Sequence, residues 1–386
     1  MTMTILYIMR YWPVCGGGET VTVKLANELV KRGHNVHILY AYRNEISPMP
    51  YELDRRIKEA HLNTVDFTES NVNAMGNYLK EHQIDIMVNQ WGDQRLCHAA
   101  KQLSGTKLII CCHMCFPQEQ MPKTFKQKLY KIVAGNQKYK EWRTAIQMKM
   151  HKENCQMADY YVFLSKSYEQ HFLSLLGTQD NAMKVSSIPN PLTYSYNFDI
   201  IRYSDKKKNV LFVGRMLESH KRLSYILKIW KLIEDDPQLS EWNLKMVGDG
   251  QSLKTTQKLC SDLELQRVSF EGYKAPRPYY EQSSVFMMTS AFEGFPMTLV
   301  ESQQNAVVPV VMDSFSALYD VITNGENGII VEDNDINGFA CAMKKLMMDD
   351  CYRKKLAERG LETCQKFNVC NIVDEWESLF DEISGD

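Results

Sequence analysis

Short apolar runs alternate with longer stretches of helical period along most of this chain, and that alternation confines it to one class of fold. Residues 4–9, 84–88, 107–112 and 160–164 read as buried strands in the first half. Residues 210–213, 244–247, 268–270, 284–288, 307–312 and 328–331 do so in the second. Helical patterns lie between them, such as 20–32, stopped by Gly33, and 223–234. Strands joined through helices pair in parallel and are covered by those helices, which is the α/β class. At 386 residues the chain is long for one core, so two domains of shared architecture are expected. Residues 194–208 carry few apolar side chains and a Lys206-Lys207-Lys208 run, and read as a linker.

Composition excludes several classes. No apolar run reaches the roughly 18 residues of a membrane span, and the N-terminus shows neither a basic region nor a small-residue cleavage site, so a cytosolic protein is expected. The 11 cysteines, scattered from Cys15 to Cys370 without repeated spacing, are no disulfide framework. Cys111, Cys112 and Cys115 flank His113, but a second ligand pair is missing, and no metal is expected. Residues 1–190 hold 23 Lys+Arg against 17 Asp+Glu, a net of +6, whereas 191–386 hold 22 against 30, a net of −8. The excess sits in 121–152, with nine basic residues, one acid, Glu141, and interleaved apolar and aromatic side chains. Such a segment is either a solvated amphipathic face or a contact with an anionic membrane surface. Nucleic acid is not expected, because no basic stripe or stacking platform lies elsewhere.

Four places carry chemistry. In 290–313 a strand runs into a turn holding Glu293, Gly294, Phe295 and Pro296, with Pro296 expected at the first position of a helix through Met297 to Glu301. Such a junction can seat an anion, but a carboxylate beside it favours hydroxyls. Arg215 and Lys221, six residues apart after the strand at 210–213, bracket a strand-to-helix loop as a diphosphate requires. Gly16, Gly17 and Gly18 follow the first strand, either as a close ligand approach or as an ordinary tight turn. His113 stands at the carboxyl end of a strand, where ligands of parallel sheets bind and structural histidines also occur.

These residues resemble the paired-glutamate signature of retaining glycosyltransferases of family 4: Glu293, seven residues, then Glu301, with Gly294-Phe295-Pro296 between. GGGE at 16–19, IPNPL at 188–192, FVGRMLESHKR at 212–222, MVGDG at 246–250 and DVITNGENGIIV at 320–331 match further blocks of that family in order. The resemblance implies a GT-B fold, two Rossmann-like domains facing each other across a donor cleft. It divides the chain into an acceptor-side domain at 1–192, a linker at 193–208, a nucleotide-sugar domain at 209–367, and a helix at 368–386 crossing back to the first domain. Glu301 would bind ribose, Glu293 and the turn amides of Gly294 to Met297 the donor sugar, and Arg215 and Lys221 the diphosphate. Gly16 and Gly17 would approach from the other domain, His113 would point at the donor sugar, and Asn190 would line the site. The chain departs from the pattern at Ser302, at Ala306 and Arg222 where glycine is common, and at the polar run Gln303-Gln304-Asn305.

The implied activity is retaining, metal-independent transfer of a hexose from a nucleotide-diphosphate sugar, with UDP favoured, to a hydroxyl. The acceptor would be a cell-surface glycan or its lipid-linked precursor, and the donor is a substrate, so no cofactor is expected. The site of action would be the cytosol, peripherally on the inner face of the membrane. Two alternatives share the fold: a nucleotide-sugar 2-epimerase, and a non-catalytic sugar-nucleotide-binding protein. The one Asp-x-Asp, Asp333-Asn334-Asp335, reads as a turn and helix cap.

Overall fold

The structure, a computed structural model, describes residues 2–13, 17–43, 52–116, 124–177 and 183–385. Two compact units emerge, Met1–Thr193 with Val369–Asp386, and Tyr194–Asn368. Gly16 and residues 121–123 of the basic segment lie outside the described residues.

In the first unit β1 (Thr4–Trp12) leads into α1 (Gly17–Lys31), β2 (Asn35–Arg43) and β3 (Lys58–His61). Then follow α2 (Glu69–Glu81), β4 (Ile86–Asn89), α3 (Gln94–Ser104), β5 (Lys107–Cys112), α4 (Phe125–Met157), β6 (Tyr160–Phe163), α5 (Lys166–Leu176) and β7 (Val185–Ser187). The sheet order is β3-β2-β1-β4-β5-β6-β7, with every described pairing parallel. The chain builds outward from β1 to one edge and then from β4 to the other. The strand order therefore switches between β1 and β4.

The second unit repeats the scheme: β8 (Asn209–Val213), α6 (Glu218–Lys221), α7 (Leu223–Glu234), β9 (Asn243–Val247), α8 (Leu253–Asp262), β10 (Val268–Gly272), α9 (Arg277–Gln282) and β11 (Val285–Met288). After these come α10 (Met297–Gln304), β12 (Val308–Asp313), β13 (Ile329–Glu332), α11 (Ile336–Met348) and α12 (Asp350–Thr363). The sheet order is β10-β9-β8-β11-β12-β13, again parallel, with the switch between β8 and β11. Its core is one cluster in which Trp230, Leu227, Met246, Val285, Val310 and Phe339 are fully enclosed. The last helix, α13 (Val369–Gly385), belongs to the first unit. Its apolar face, Ile372, Val373, Trp376, Leu379, Phe380 and Ile383, is buried, and Arg32 of α1 pairs with Asp374 and Glu377.

The stretch expected as a linker falls, from Tyr194 onward, within the second unit. Its backbone is fastened to the second unit by buried amide side chains: Gln304 Nε2 donates to the carbonyls of Tyr194 and Tyr196, each at 2.7 Å. The Tyr196 hydroxyl donates to Asn305 Oδ1 at 3.0 Å, and Lys206 Nζ donates to the Ser283 carbonyl at 2.8 Å. Few apolar residues are needed where polar groups make the attachment.

Candidate functional site

Both halves of the second unit's site lie at its switch point, where the carboxyl ends of β8 and β11 leave a crevice in sheets of this kind. After β8 the chain turns through Gly214 and exposed Arg215 into α6. The loop after β9 presses against that turn. Gly248, at φ +140°, has no room for a side chain, since a Cβ would fall 1.9 Å from the Gly214 carbonyl oxygen. Gly214 N donates to Val247 O at 3.0 Å and Met216 N to Asp249 O at 2.8 Å. The MVGDG block thus shapes the loop that carries Arg215.

Lys221 stands at the end of α6, not at the start of the following helix, and is buried. Its Nζ donates to Glu293 Oε1 at 2.5 Å. Glu293 is also buried, on the turn after β11. Burial by itself pushes its carboxyl up, but the charge of Lys221, with His220 beside it, outweighs that and holds it at about 2. It is a carboxylate at neutral pH. The two turns are laced together: Ala291 N donates to His220 O at 2.7 Å and Thr289 Oγ1 to Lys221 O at 2.8 Å. The His220 ring stacks on Phe292 at 4.5 Å, with Nε2 2.7 Å from the Phe292 carbonyl and 3.5 Å from Glu293 Oε2.

Pro296 is the N-cap residue of α10 and Met297 its first residue, so the expected helix start moves by one. The Phe295 ring packs on Phe367 at 5.4 Å, which leaves its backbone as the part that can face a ligand. Glu301, one turn into α10, is buried and accepts from the Tyr280 hydroxyl at 3.1 Å. Burial, then the Glu301 charge, pushes that hydroxyl well above its ordinary value, so Tyr280 stays a donor.

In the first unit Gly17 and His113, both expected to bind, follow β1 and β5, on either side of β4. Gly17 opens α1, and Gly18 lies so close to Trp91 that a Cβ would come within 2.9 Å of its Nε1. Trp91 in turn stacks on His113, with centroids 4.3 Å apart and planes 18° from parallel. Burial pushes the His113 imidazole down to about 4, and its Nε2 is enclosed without a partner among the described residues. A neutral ring with an unspent nitrogen can bind a hydroxyl. Asn190 is buried beyond β7. Cys111, Cys112 and Cys115 are buried. No group of three His, Cys, Asp or Glu among the described residues is arranged to hold a metal ion.

Three residues of these clusters escape the sequence reading: Trp91, His220 and Tyr280. His220 lies within the 212–222 block without standing out there, Trp91 and Tyr280 lie in no quoted block, and each of the three meets its partner only across another element of the fold. The departures from the family pattern gain a physical meaning. Arg222 and Ala306, where glycine is common, have φ of +48° and +53°, the left-handed region that glycine enters without strain. Arg222 offsets its cost by pairing with Asp333, while Asp335 caps α11 by accepting from Gly338 N at 2.8 Å. Of the polar run, Gln304 and Asn305 fasten 194–198, and Gln303 Nε2 donates to the Asn327 carbonyl at 3.2 Å.

The family described as Glycosyltransferase Family 4 matches residues 15–194, and that described as Glycosyl transferases group 1 matches 197–363. Between them they span nearly the whole chain, which therefore belongs to the glycosyltransferases of GT-B fold. One relative is the Campylobacter jejuni alpha-1,4-N-acetyl-D-galactosaminyltransferase named for GalNAc-alpha-(1->4)-GalNAc-alpha-(1->3)-diNAcBac-PP-undecaprenol. It is 25% identical over 390 residues, covering 95% of this chain and 96% of that protein. The fold is shared with a mutant of S. aureus TarM in complex with Fondaparinux, alpha-GlcNAc-glycerol and UDP, at TM-score 0.74 and 14% identity over 98% of this chain and 100% of that one. It is shared likewise with Anabaena HepE in complex with UDP and glucose, at TM-score 0.70 and 15% identity over 98% and 100%.

Proposed function

We propose that this protein transfers a sugar from a UDP-sugar to a hydroxyl of a cell-surface glycan or its lipid-linked precursor, with retention of configuration and without a metal ion. The observation that carries this reading is the buried Lys221–Glu293 pair at the β8/β11 switch, which joins α6, just after the Arg215 loop, to the turn after β11. UDP in the TarM and HepE structures and the undecaprenol-linked substrate named for the Campylobacter relative support the choice of donor and acceptor. A lipid-linked acceptor places the reaction in the cytosol, at the inner face of a membrane. No helix among the described residues is long and apolar enough to cross one.

In the proposed reaction the bond from the anomeric carbon to the diphosphate oxygen breaks, and its electron pair leaves with the diphosphate. The acceptor hydroxyl oxygen bonds to the same face of that carbon, and its proton passes to the departing phosphate oxygen. Arg215 and Lys221 stabilise the negative charge that grows there, the part a metal ion plays elsewhere. Glu293, ionised and held by Lys221, accepts hydrogen bonds from sugar hydroxyls, and Glu301 accepts from the ribose. In the first unit, the neutral ring of His113 is the group suited to a hydroxyl. Asp333 and Asp335 are engaged by Arg222 and Gly338 N, which supports the metal-free reading.

The test is proton NMR of the product formed from UDP-sugars and a polyprenyl-diphosphate-linked glycan, with and without a chelator. An anomeric configuration equal to the donor's and an unchanged rate are expected. An inverted product, or a rate that chelation abolishes, would contradict the proposal.

A further inference from the structure

The first ten residues of α4 turn their apolar side to solvent. Phe125, Leu129, Ile132 and Val133 recur at helical spacing and fall within about 100° of arc. All four are exposed, Phe125 and Ile132 at 80% and Val133 at 77%. The opposite side holds Gln127, Lys131 and Ala134, and these are the half-buried positions. Tyr130, next to that side, packs its ring on Trp142 at 5.4 Å. A surface helix ordinarily sets its apolar stripe on the core; here the polar side faces the protein.

Gly135 makes this possible. Its φ of +85° and ψ of +165° break the helix, so 125–134 need not follow the remainder of α4, where Tyr139, Gln147, His151, Asn154 and Cys155 are buried in the ordinary way. Charge identifies what would cover the exposed stripe. Exposed Lys126 and Lys128 flank it, one on each side, and exposed Lys138 and Lys140 continue the basic surface beyond the break. The nearby acid, Glu141, accepts a hydrogen bond from Gln137 at 3.0 Å. An apolar stripe bordered by lysines on both sides matches the boundary between acyl chains and anionic headgroups, which offers both surfaces at one depth.

We infer that residues 125–134 are a docking helix that lies in the surface of an anionic membrane. The inference goes beyond the reading of the donor site, since docking needs neither nucleotide nor sugar. It is tested by co-sedimentation of the full-length protein with vesicles of phosphatidylglycerol mixed with phosphatidylcholine, and of phosphatidylcholine alone. Binding to the mixed vesicles and little to the neutral ones is expected. Ile132→Ser with Val133→Ser, and separately Lys126→Glu with Lys128→Glu, should each lower partitioning roughly 10-fold or more. These side chains are exposed, so the thermal midpoint should not move. Equal binding to both vesicle types, or partitioning that neither variant changes, would overturn the inference. Self-association in solution that the serine variant abolishes would do so too, by assigning the face to a second copy of the chain.

Discussion

Lys221 and Glu293 each bring a charge out of water, and at 2.5 Å each is the other's compensation. Replacing one therefore does two things at once. Lys221→Ala is expected to cut turnover roughly 10²-fold by removing a preorganised charge stabiliser. It should also cost about 3–5 kcal/mol of stability, because a buried carboxylate loses its opposite charge at 2.5 Å. Adding Glu293→Gln to that variant should recover most of the stability and none of the turnover, read by urea unfolding beside an assay. A double variant as unstable as the single one would show that the pair does not hold these two turns together. The residues themselves were visible in the sequence, because Arg215, Lys221, Glu293 and Glu301 stand at fixed spacings. Their partners were not. Nothing in the sequence near Glu301 announces the Tyr280 hydroxyl, and nothing near His113 announces Trp91, since neither contact exists until the successive elements that carry the two residues pack side by side.

At the scale of elements, α10 is the piece on which the second unit's site depends. Its first turn follows the Glu293 loop, its middle carries Glu301, and its last residue, Gln304, fastens the strap at 194–198 through two carbonyls. Gln304→Ala should cost about 1–3 kcal/mol, since it strips two half-buried carbonyls of their donor. Thermal unfolding checks this, and an unchanged midpoint would mean that the strap is held by its other contacts. The strap also shows where sequence reading fails. Strand β11 was legible because Val285–Met288 is an unbroken apolar run, and α13 because its six buried residues share one helical face. Strand β3, Lys58–His61, has no buried residue, so it carries no apolar signal. Helix α2 buries only Asn71, Met75, Gly76 and Leu79. The strap is polar, and polarity reads as a linker unless the amides that bind it are known.

At the scale of the whole molecule, the two units should respond differently to acid. Burial pushes the imidazoles of His37, His113 and His151 down to about 4, with the charge of Lys58 adding to the effect at His37. All three lie in the first unit. Unfolding releases them to protonate near 6.5, so their contribution is fully present above that pH and is lost as pH falls toward 4. Glu293, in the second unit, is held at about 2 against an ordinary 4.5, so its contribution is lost only as pH falls from 4.5 toward 2. Limited proteolysis at about pH 5 should therefore cut the first unit while the second persists, and at about pH 7.5 should spare both. Cutting that begins in the second unit would contradict this order.

The central claim is that the β8/β11 switch holds a nucleoside diphosphate with Arg215 on its diphosphate and Glu301 on its ribose. Calorimetric titration with UDP and with uridine tests it most directly, because Arg215 is exposed and its loss should leave the fold intact. Arg215→Ala should weaken UDP roughly 10-fold or more and leave uridine unchanged, whereas Glu301→Ala should weaken both alike. An Arg215→Ala protein that titrates UDP as the unaltered protein does would contradict the account.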